Sequence, residues 1–319
     1  MEFKIALIQN VAVLGALTRS DEQATGPLGK TLVSALLGAG FKVTCITRPD
    51  SDHVFSSGVV VKSAGYTDIK ALTAVFEKQD AIVEAFNPAA SVYQDSIVEA
   101  ALAAGVQHIV TPDFSGNTFN RNASELLIFD TKRRAQRHLE SVVAASGNRL
   151  SWHAIIVGPW YDWTIEKGLF WVDRQRRVVT RYGSGDQRYS VSRLGLSGEA
   201  LVAVLRDPER YRNRAAYFAS HTVSTNQLIE IIEDMGLQGW SVIDGSLDGY
   251  FEEAKRLWEQ DTENGIENRL ASKAYEMFAT IALLDEDNRY GSDFSDKLET
   301  GWDEGEHALR ENLKRLLSE

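Results

Sequence analysis

The chain is poor in cysteine, in long apolar runs and in clustered positive charge. A single cysteine, Cys45, in 319 residues rules out an internal disulfide framework and a cysteine-ligated metal cluster. Cys45 falls in a β-rich run and reads as a small buried hydrophobe. No apolar stretch reaches the roughly 18 residues that a membrane-spanning helix needs. The net charge is −11 and no basic run appears, which argues against a nucleic-acid surface. The start, Met1-Glu2-Phe3-Lys4, lacks the pattern of a secretory signal, so the expected compartment is the cytoplasm. Repeats, low-complexity tracts and sharp linkers are missing too. What remains is a chain with 44% hydrophobic and 25% charged residues, ordinary for a soluble enzyme and long enough to bury a full core.

Its organising stretch is Thr25-Gly26-Pro27-Leu28-Gly29-Lys30-Thr31. Upstream, Val11 to Ala16 reads as a short buried strand. Downstream, Leu32 to Leu37 reads as a helix, Gly38-Ala39-Gly40 as its stop, and Lys42 to Thr47 as a second strand closed by Arg48. This is a βαβ unit with a glycine turn. Gly26 and Gly29 allow close approach of a phosphate, and the helix N-terminus then faces it with free N–H groups. The usual dinucleotide fingerprint has three glycines. Here Gly15 supplies the first only if Leu17 through Ala24 is a polar insert; without those residues the stretch reads N-V-A-V-L-G-A-T-G-P-L-G. A phosphate-binding P-loop is the rival reading of Gly29-Lys30-Thr31, but its first glycine position holds Ala24. A third possibility is a loop that binds no nucleotide.

Strand–helix alternation continues. Strands are expected at Gly58–Lys62, Gln79–Ala85, Val106–Pro112 and Leu150–Gly158. Helices are expected from Thr67-Asp68 to Phe76, from Ser91 to Ala104 with Gly105 as stop, and from Ser124 to Ala145. Units of this length impose parallel pairing by right-handed crossovers, with ligands at the carboxyl ends of the strands. The expected fold is α/β, a Rossmann-type doubly wound parallel sheet over residues 1–158. A smaller C-terminal α/β substrate lobe over 159–319 is interwoven with it. In that lobe, Pro159 to Phe170 reads as a loop and short helix, and Arg174 to Tyr189 as a β-hairpin around Gly183-Ser184-Gly185. Helices are expected at Gly198–Leu205, Thr225–Met235, Asp248–Glu263, Asn268–Leu284 and Asp303–Leu317.

Several motifs in this order resemble the NmrA-like and isoflavone-reductase-like branch of the atypical short-chain dehydrogenases, in its fungal form. They are the A-T-G-P-L-G turn, Thr47-Arg48, Gln79-Asp80-Ala81-Ile82-Val83 and Ala103-Ala104-Gly105-Val106. Further on come Thr111-Pro112-Asp113-Phe114-Ser115-Gly116, where the family has P-S-E-F-G, Lys132 within Thr131-Lys132-Arg133-Arg134, and Gly158-Pro159-Trp160-Tyr161-Asp162-Trp163. The resemblance implies NADPH as cofactor. It also implies reduction of a C=O, C=C or C=N bond in a small aromatic or polycyclic secondary metabolite. Two alternatives stand beside it: a redox-neutral isomerase or cyclase on the same fold, and an NADP(H)-sensing regulator.

The resemblance makes Lys132 the catalytic lysine, although no Tyr-x-x-x-Lys pair exists because position 128 is Ile128. A plain helix-surface lysine is the alternative. Cofactor residues are expected at Gly15, Thr25, Gly26, Leu28, Gly29, Lys30, Arg48, Asn87, Phe114 and Lys132. Arg48 suits a 2′-phosphate where an NAD-selective site has a carboxylate. Substrate residues are expected at Asp113, Ser115, Trp160, Tyr161, Trp163 and Phe170, the aromatic group suiting a flat ligand unless it is simply the core of the lobe. His153 and Asp162 read as structural. The expected partner is a small molecule, with no nucleic acid, membrane or metal, and the chain is expected to be a monomer or homodimer.

Overall fold

A computed structural model of the chain describes residues 7–15, 26–49, 57–147 and 149–318. The elements run β1 (Asn10–Leu14), α1 (Gly26–Gly38), β2 (Lys42–Thr47), β3 (Val59–Ser63), α2 (Ile69–Phe76), β4 (Ala81–Glu84), α3 (Gln94–Ala104) and β5 (His108–Val110). They continue with α4 (Asp130–Ala145), β6 (Ser151–Ile156), α5 (Tyr161–Lys167), β7 (Val172–Asp173), β8 (Val178–Tyr182), β9 (Arg188–Val191), α6 (Leu194–Arg206) and β10 (Arg214–Tyr217). The last are β11 (His221–Ser224), α7 (Thr225–Asp234), β12 (Ser241–Gly245), α8 (Tyr250–Glu263), α9 (Lys273–Leu284) and α10 (Gly305–Ser318).

Seven strands form one sheet in the order β10-β6-β5-β4-β1-β2-β3. The pairings of β1 with β2 and β4, β2 with β3, β4 with β5 and β5 with β6 are all parallel. The chain therefore winds outward from β1 in one direction and from β4 in the other. That makes the gap between the carboxyl ends of β1 and β4 the switch point of the sheet, the place where ligands bind in this architecture. The inner strands are near-continuous apolar runs because both faces are covered: Val11, Ala12, Val13 and Leu14 are all fully buried, whereas Val60 and Val61 of the edge strand β3 are exposed. At the opposite edge, the Asp80 carboxylate accepts from the N–H groups of Gln9 and Asn10, at 2.8 Å each, and pins the start of β1 to that of β4.

The chain divides into two compact units: 1–113, 131–155 and 197–215 in the first, 114–130, 156–196 and 216–319 in the second. In the first, Asp68 caps α2 by accepting from the Ala71 N–H at 2.9 Å, and Gly105, in the left-handed region at φ 78°, ends α3. Gly198 brings α6 so close to α1 that a Cβ there would stand 2.7 Å from Ala35 Cβ. In the second, β9 pairs antiparallel with β11, while β8 pairs with β7 and β12. One apolar cluster joins Tyr161, Trp171 and Tyr189 to Leu228, Leu284 and Leu313; another joins Leu126, Ile128 and Phe129 to Met277, Phe278 and Ile281.

Four expectations need correction. The first helix starts at Gly26 rather than after a glycine turn; Pro27, with its fixed φ and missing N–H, is suited to the first helical turn. The helix expected from Ser91 is a 3-10 turn over Pro88–Tyr93 followed by α3. The helix expected from Ser124 begins at Asp130: Leu126 is extended (φ −98°, ψ 108°) between two short 3-10 turns, a path that turns Leu126, Ile128 and Phe129 into their cluster. The hairpin around Gly183 and Gly185 does not form, because β8 and β9 give their hydrogen bonds to different sheets.

Candidate functional site

Gly15 ends β1 with φ 73°, and a Cβ on it would lie 2.6 Å from Phe86 Cβ and 2.7 Å from Phe86 Cα. The first turn thus rests directly on the backbone that follows β4. Thr25 and residues 17–24, the expected insert, lie outside the described residues. Gly26 opens α1, Leu28 and Gly29 are buried in its first turns, and Lys30 is exposed. No acidic residue occupies that first turn, so the helix end carries no competing negative charge. Arg48 directly follows β2 and is exposed. Its charge reaches Tyr66, which sits between β3 and α2, is 8% exposed and has a backbone hydrogen bond at Gly15. That bond lowers the phenol's pKa, so the Gly15 N–H is the donor; burial nevertheless pushes the phenol up to about 12. The sequence gave no signal for Tyr66.

Asn87 follows β4, caps the 3-10 turn by accepting from Ala89 N–H at 2.9 Å, and is half-buried. After β5, the buried Asp113 carboxylate accepts from Thr111 Oγ1 at 2.7 Å. The Asp113 carbonyl accepts from Lys132 Nζ at 3.1 Å. Lys132 lies in the first turn of α4 and is 8% exposed, so the surface-lysine alternative is corrected: the ammonium is buried. Burial lowers its pKa, and the Asp113 carboxylate opposes that shift. These groups all belong to the first unit and all follow the carboxyl ends of strands.

The remaining expected residues belong to the second unit. Phe114 is buried at φ 24°, a strained backbone for a side chain of that size. The Ser115 carbonyl accepts from the N–H groups of Val157 (3.2 Å) and Gly158 (3.0 Å). Trp160 and Trp163 are half-buried and meet edge to face, with centroids 6.2 Å apart. Tyr161 is 2% exposed inside the first apolar cluster of that unit, and Phe170 packs on the same cluster and stacks on Trp171. The aromatic group therefore splits, with Tyr161 and Phe170 serving packing and the two tryptophans remaining on the accessible side. Asp162 accepts from the Leu194 N–H at 3.0 Å and so holds the start of α6. His153 is buried, donates to or accepts from His108 at 3.2 Å, and donates from Nδ1 to the Tyr211 carbonyl at 3.0 Å. Burial lowers its pKa to about 3, so it is a neutral structural group. Cys45 is fully buried and its thiol is pushed up to about 12. Among the described residues no group of three or more His, Cys, Asp or Glu could hold a metal ion, and no helix is long and apolar enough to cross a membrane.

This arrangement has relatives. The model of the NmrA-like family matches residues 22–151. Oxidoreductase aprR of Aspergillus flavus is 30% identical over 225 residues, 69% of this chain and 74% of that protein. The chain belongs to the NmrA-like family. Oxidoreductase poxI of Penicillium oxalicum is 29% identical over 227 residues, 71% of this chain and 72% of that protein. Both relatives are fungal, and the protein is an oxidoreductase of this family. In fold it is similar to a leucoanthocyanidin reductase–NADPH complex from Vitis vinifera, with TM-score 0.69 at 16% identity over 97% of this chain and 100% of that one. An isoflavone reductase structure gives TM-score 0.67 at 14% identity over 88% and 89%. The NmrA-like match begins inside residues 17–24, and the fold likeness to the leucoanthocyanidin reductase covers 97% of the chain.

Proposed function

We propose that the protein is an NADPH-dependent reductase acting on a C=O, C=C or C=N bond of a small aromatic or polycyclic molecule. The observation that carries this reading is the convergence at the switch point: the N-terminal turn of α1, Gly15 against the β4 turn, and an arginine rather than a carboxylate after β2. The residues present fit the cofactor. Gly29 is buried in the first turn of α1, that turn bears no carboxylate, and Arg48 offers a guanidinium suited to a phosphate monoester. Two leucoanthocyanidin reductase structures of similar fold are NADPH complexes.

A bound reduced nicotinamide supplies the hydride. The chain supplies the rest. The first turns of α1 hold the pyrophosphate with N–H groups and the helix dipole. Asn87, which follows β4, would stand toward the nicotinamide end. Lys132 Nζ holds a proton whose release is eased by burial, and its bond to the Asp113 carbonyl keeps the ammonium oriented. Trp160 and Trp163 of the second unit would present π faces and edges to a flat substrate.

Transfer of deuterium from 4-deuterated NADPH into product tests the reading against a redox-neutral isomerase; product formed without the label overturns it. Cofactor choice gives a second test. Arg48→Ala should weaken NADPH by about 1.5–3 kcal/mol, the size of a hydrogen bond to a charged group, and leave NADH nearly unchanged. Equal losses for the two in calorimetry would remove Arg48 from the 2′-phosphate.

A further inference from the structure

Strand β4 ends in a residue that its surroundings do not favour. Glu84 is fully buried, in a strand that is otherwise Ala81-Ile82-Val83. Charged side chains are almost never fully buried unless paired. Glu84 is aligned with Leu14 of β1, and Val83 with Val110 of β5. The carboxyl-bearing residue therefore stands at the switch point, one residue before the Ala85–Phe86 backbone on which Gly15 rests.

Its Oε2 lies 2.6 Å from the Gln94 side-chain amide. Its Oε1 is buried with no hydrogen-bond partner, as are Gln94 Oε1 and Ser91 Oγ. A separation of 2.6 Å is short for N–H···O and ordinary for O–H···O. The Gln94 amide donates across it, which favours the ionised form, while the second oxygen, Oε1, receives no donor and favours the neutral acid.

The groups facing Glu84 do not compensate a negative charge. β1 offers Leu14 and Gly15, and the 3-10 turn and α3 offer Ser91 and Gln94. The turn after β5 offers Thr111 and the Asp113 carboxylate, which repels Glu84. From the β3–α2 connection comes Tyr66, a neutral phenol on which the charges of Arg48 and Glu84 both act. Lys132 of α4 has its Nζ on the Asp113 carbonyl, and the charge that acts on Glu84 is that of Asp113. Burial and Asp113 together push the Glu84 carboxyl up to about 8, against the lowering effect of Gln94. A pyrophosphate arriving at α1 adds negative charge of the same sign.

We propose that Glu84 is a proton-linked residue of the dinucleotide site: it takes up a proton from solvent when the cofactor binds, and the Glu84–Gln94 pair thereby makes cofactor affinity depend on pH. This rests on the NADPH reading above. The sign follows from linkage. Below the midpoint Glu84 is already neutral and binding moves no proton. Above it Glu84 is ionised in the free protein, binding must protonate it, and affinity falls by up to about tenfold per pH unit for one proton.

The test is calorimetric titration of NADPH into the full chain between about pH 7 and pH 9.5, each pH in two buffers of different ionisation enthalpy. Wild-type protein should bind about tenfold or more weakly at the alkaline end, with net proton uptake. Glu84→Gln, close in shape to the neutral acid, should lose both the uptake and the decline. Gln94→Leu removes a contact that favours the ionised form and should move the midpoint to higher pH. A flat wild-type profile overturns the proposal, and so does Glu84→Gln with the wild-type decline. If Glu84→Gln does not fold, wild-type proton uptake and the Gln94→Leu shift decide the question. Absence of NADPH binding by wild type even at about pH 7 is a different result: it overturns the cofactor reading itself, and this proposal with it.

Discussion

Lys132→Ala should lower turnover by roughly 100-fold or more, the scale of a positioned acid–base group, while the protein remains folded. The family motif points to this position, and the structure adds a reason. Nζ is buried, lies 3.1 Å from the Asp113 carbonyl and has its pKa lowered chiefly by burial. A lowered ammonium pKa means the group gives up its proton more easily than a surface lysine. The alternative role is mechanical, a tie holding the chain after β5. Lys132→Arg separates the two, because it keeps an N–H donor for the Asp113 carbonyl but holds its proton throughout the working range. If Lys132 handles a proton, the arginine and alanine variants lose turnover alike, and the wild-type rate breaks on the alkaline side at a pH below that of an ordinary lysine. If it is only a tie, turnover of the arginine variant stays within about threefold of wild type, a change too small for acid–base loss. The same shift has a consequence for stability. The neutral amine is favoured in the folded state, so this contribution is fully present above the ordinary lysine value of 10.5. It is lost as pH falls through the lowered folded value.

The parts of the fold that were legible in the sequence are those set by local pattern. β2 is expected at Lys42–Thr47 and is found there, because a run rich in β-branched residues between a glycine stop and an arginine leaves little choice. Asp68 as the cap of α2 and Gly105 as the stop of α3 rest on side-chain and φ preferences that act within a few residues. What failed depends on partners distant in sequence. Arg174 to Tyr189 reads locally as a hairpin around Gly183-Ser184-Gly185, yet Val178–Tyr182 pairs with β7 and β12 and Arg188–Val191 pairs with His221–Ser224; the turn is local and the pairing is not. β10 and β12 were missed because short strands such as Arg-Ala-Ala-Tyr carry no pattern of their own. The candidate site divides in the same way. Gly26 and Arg48 are named from their spacing in the first βαβ unit, and Lys132 from the family resemblance. Glu84 and Tyr66 are named by neither: Tyr66 matters through a contact with Gly15 and a nearby charge, which only the fold creates. Glu84 did leave a trace, an acidic residue closing an apolar strand, but a strand end is also where a solvated carboxylate would stand.

Gly15→Ala should be the most damaging single-atom change in the first unit, lowering stability by roughly 2–4 kcal/mol. Two effects combine. An L-residue at φ 73° meets a strain of about 1–2 kcal/mol in the left-handed region. The new Cβ would also sit 2.7 Å from Phe86 Cα and 3.0 Å from the Ala85 carbonyl oxygen. Those are backbone atoms and cannot rotate aside, so β1 and β4 must part at the switch point, an overpacking of about 1–3 kcal/mol. Gly40→Ala is the control: its φ is 87°, but nothing lies within 4 Å of the added Cβ, so only the strain remains. Chemical denaturation of the two variants should therefore show a clearly larger loss for Gly15. The functional effects should separate further. Parting the strands shifts Glu84 from Gln94 and the Gly15 N–H from Tyr66, so Gly15→Ala should lose NADPH binding even under conditions where it is folded. Gly40→Ala, at the far end of α1, should bind as the parent does. Equal destabilisation of the two variants would mean that the backbone after β4 yields freely, and that the close approach at the switch point does not hold the site together.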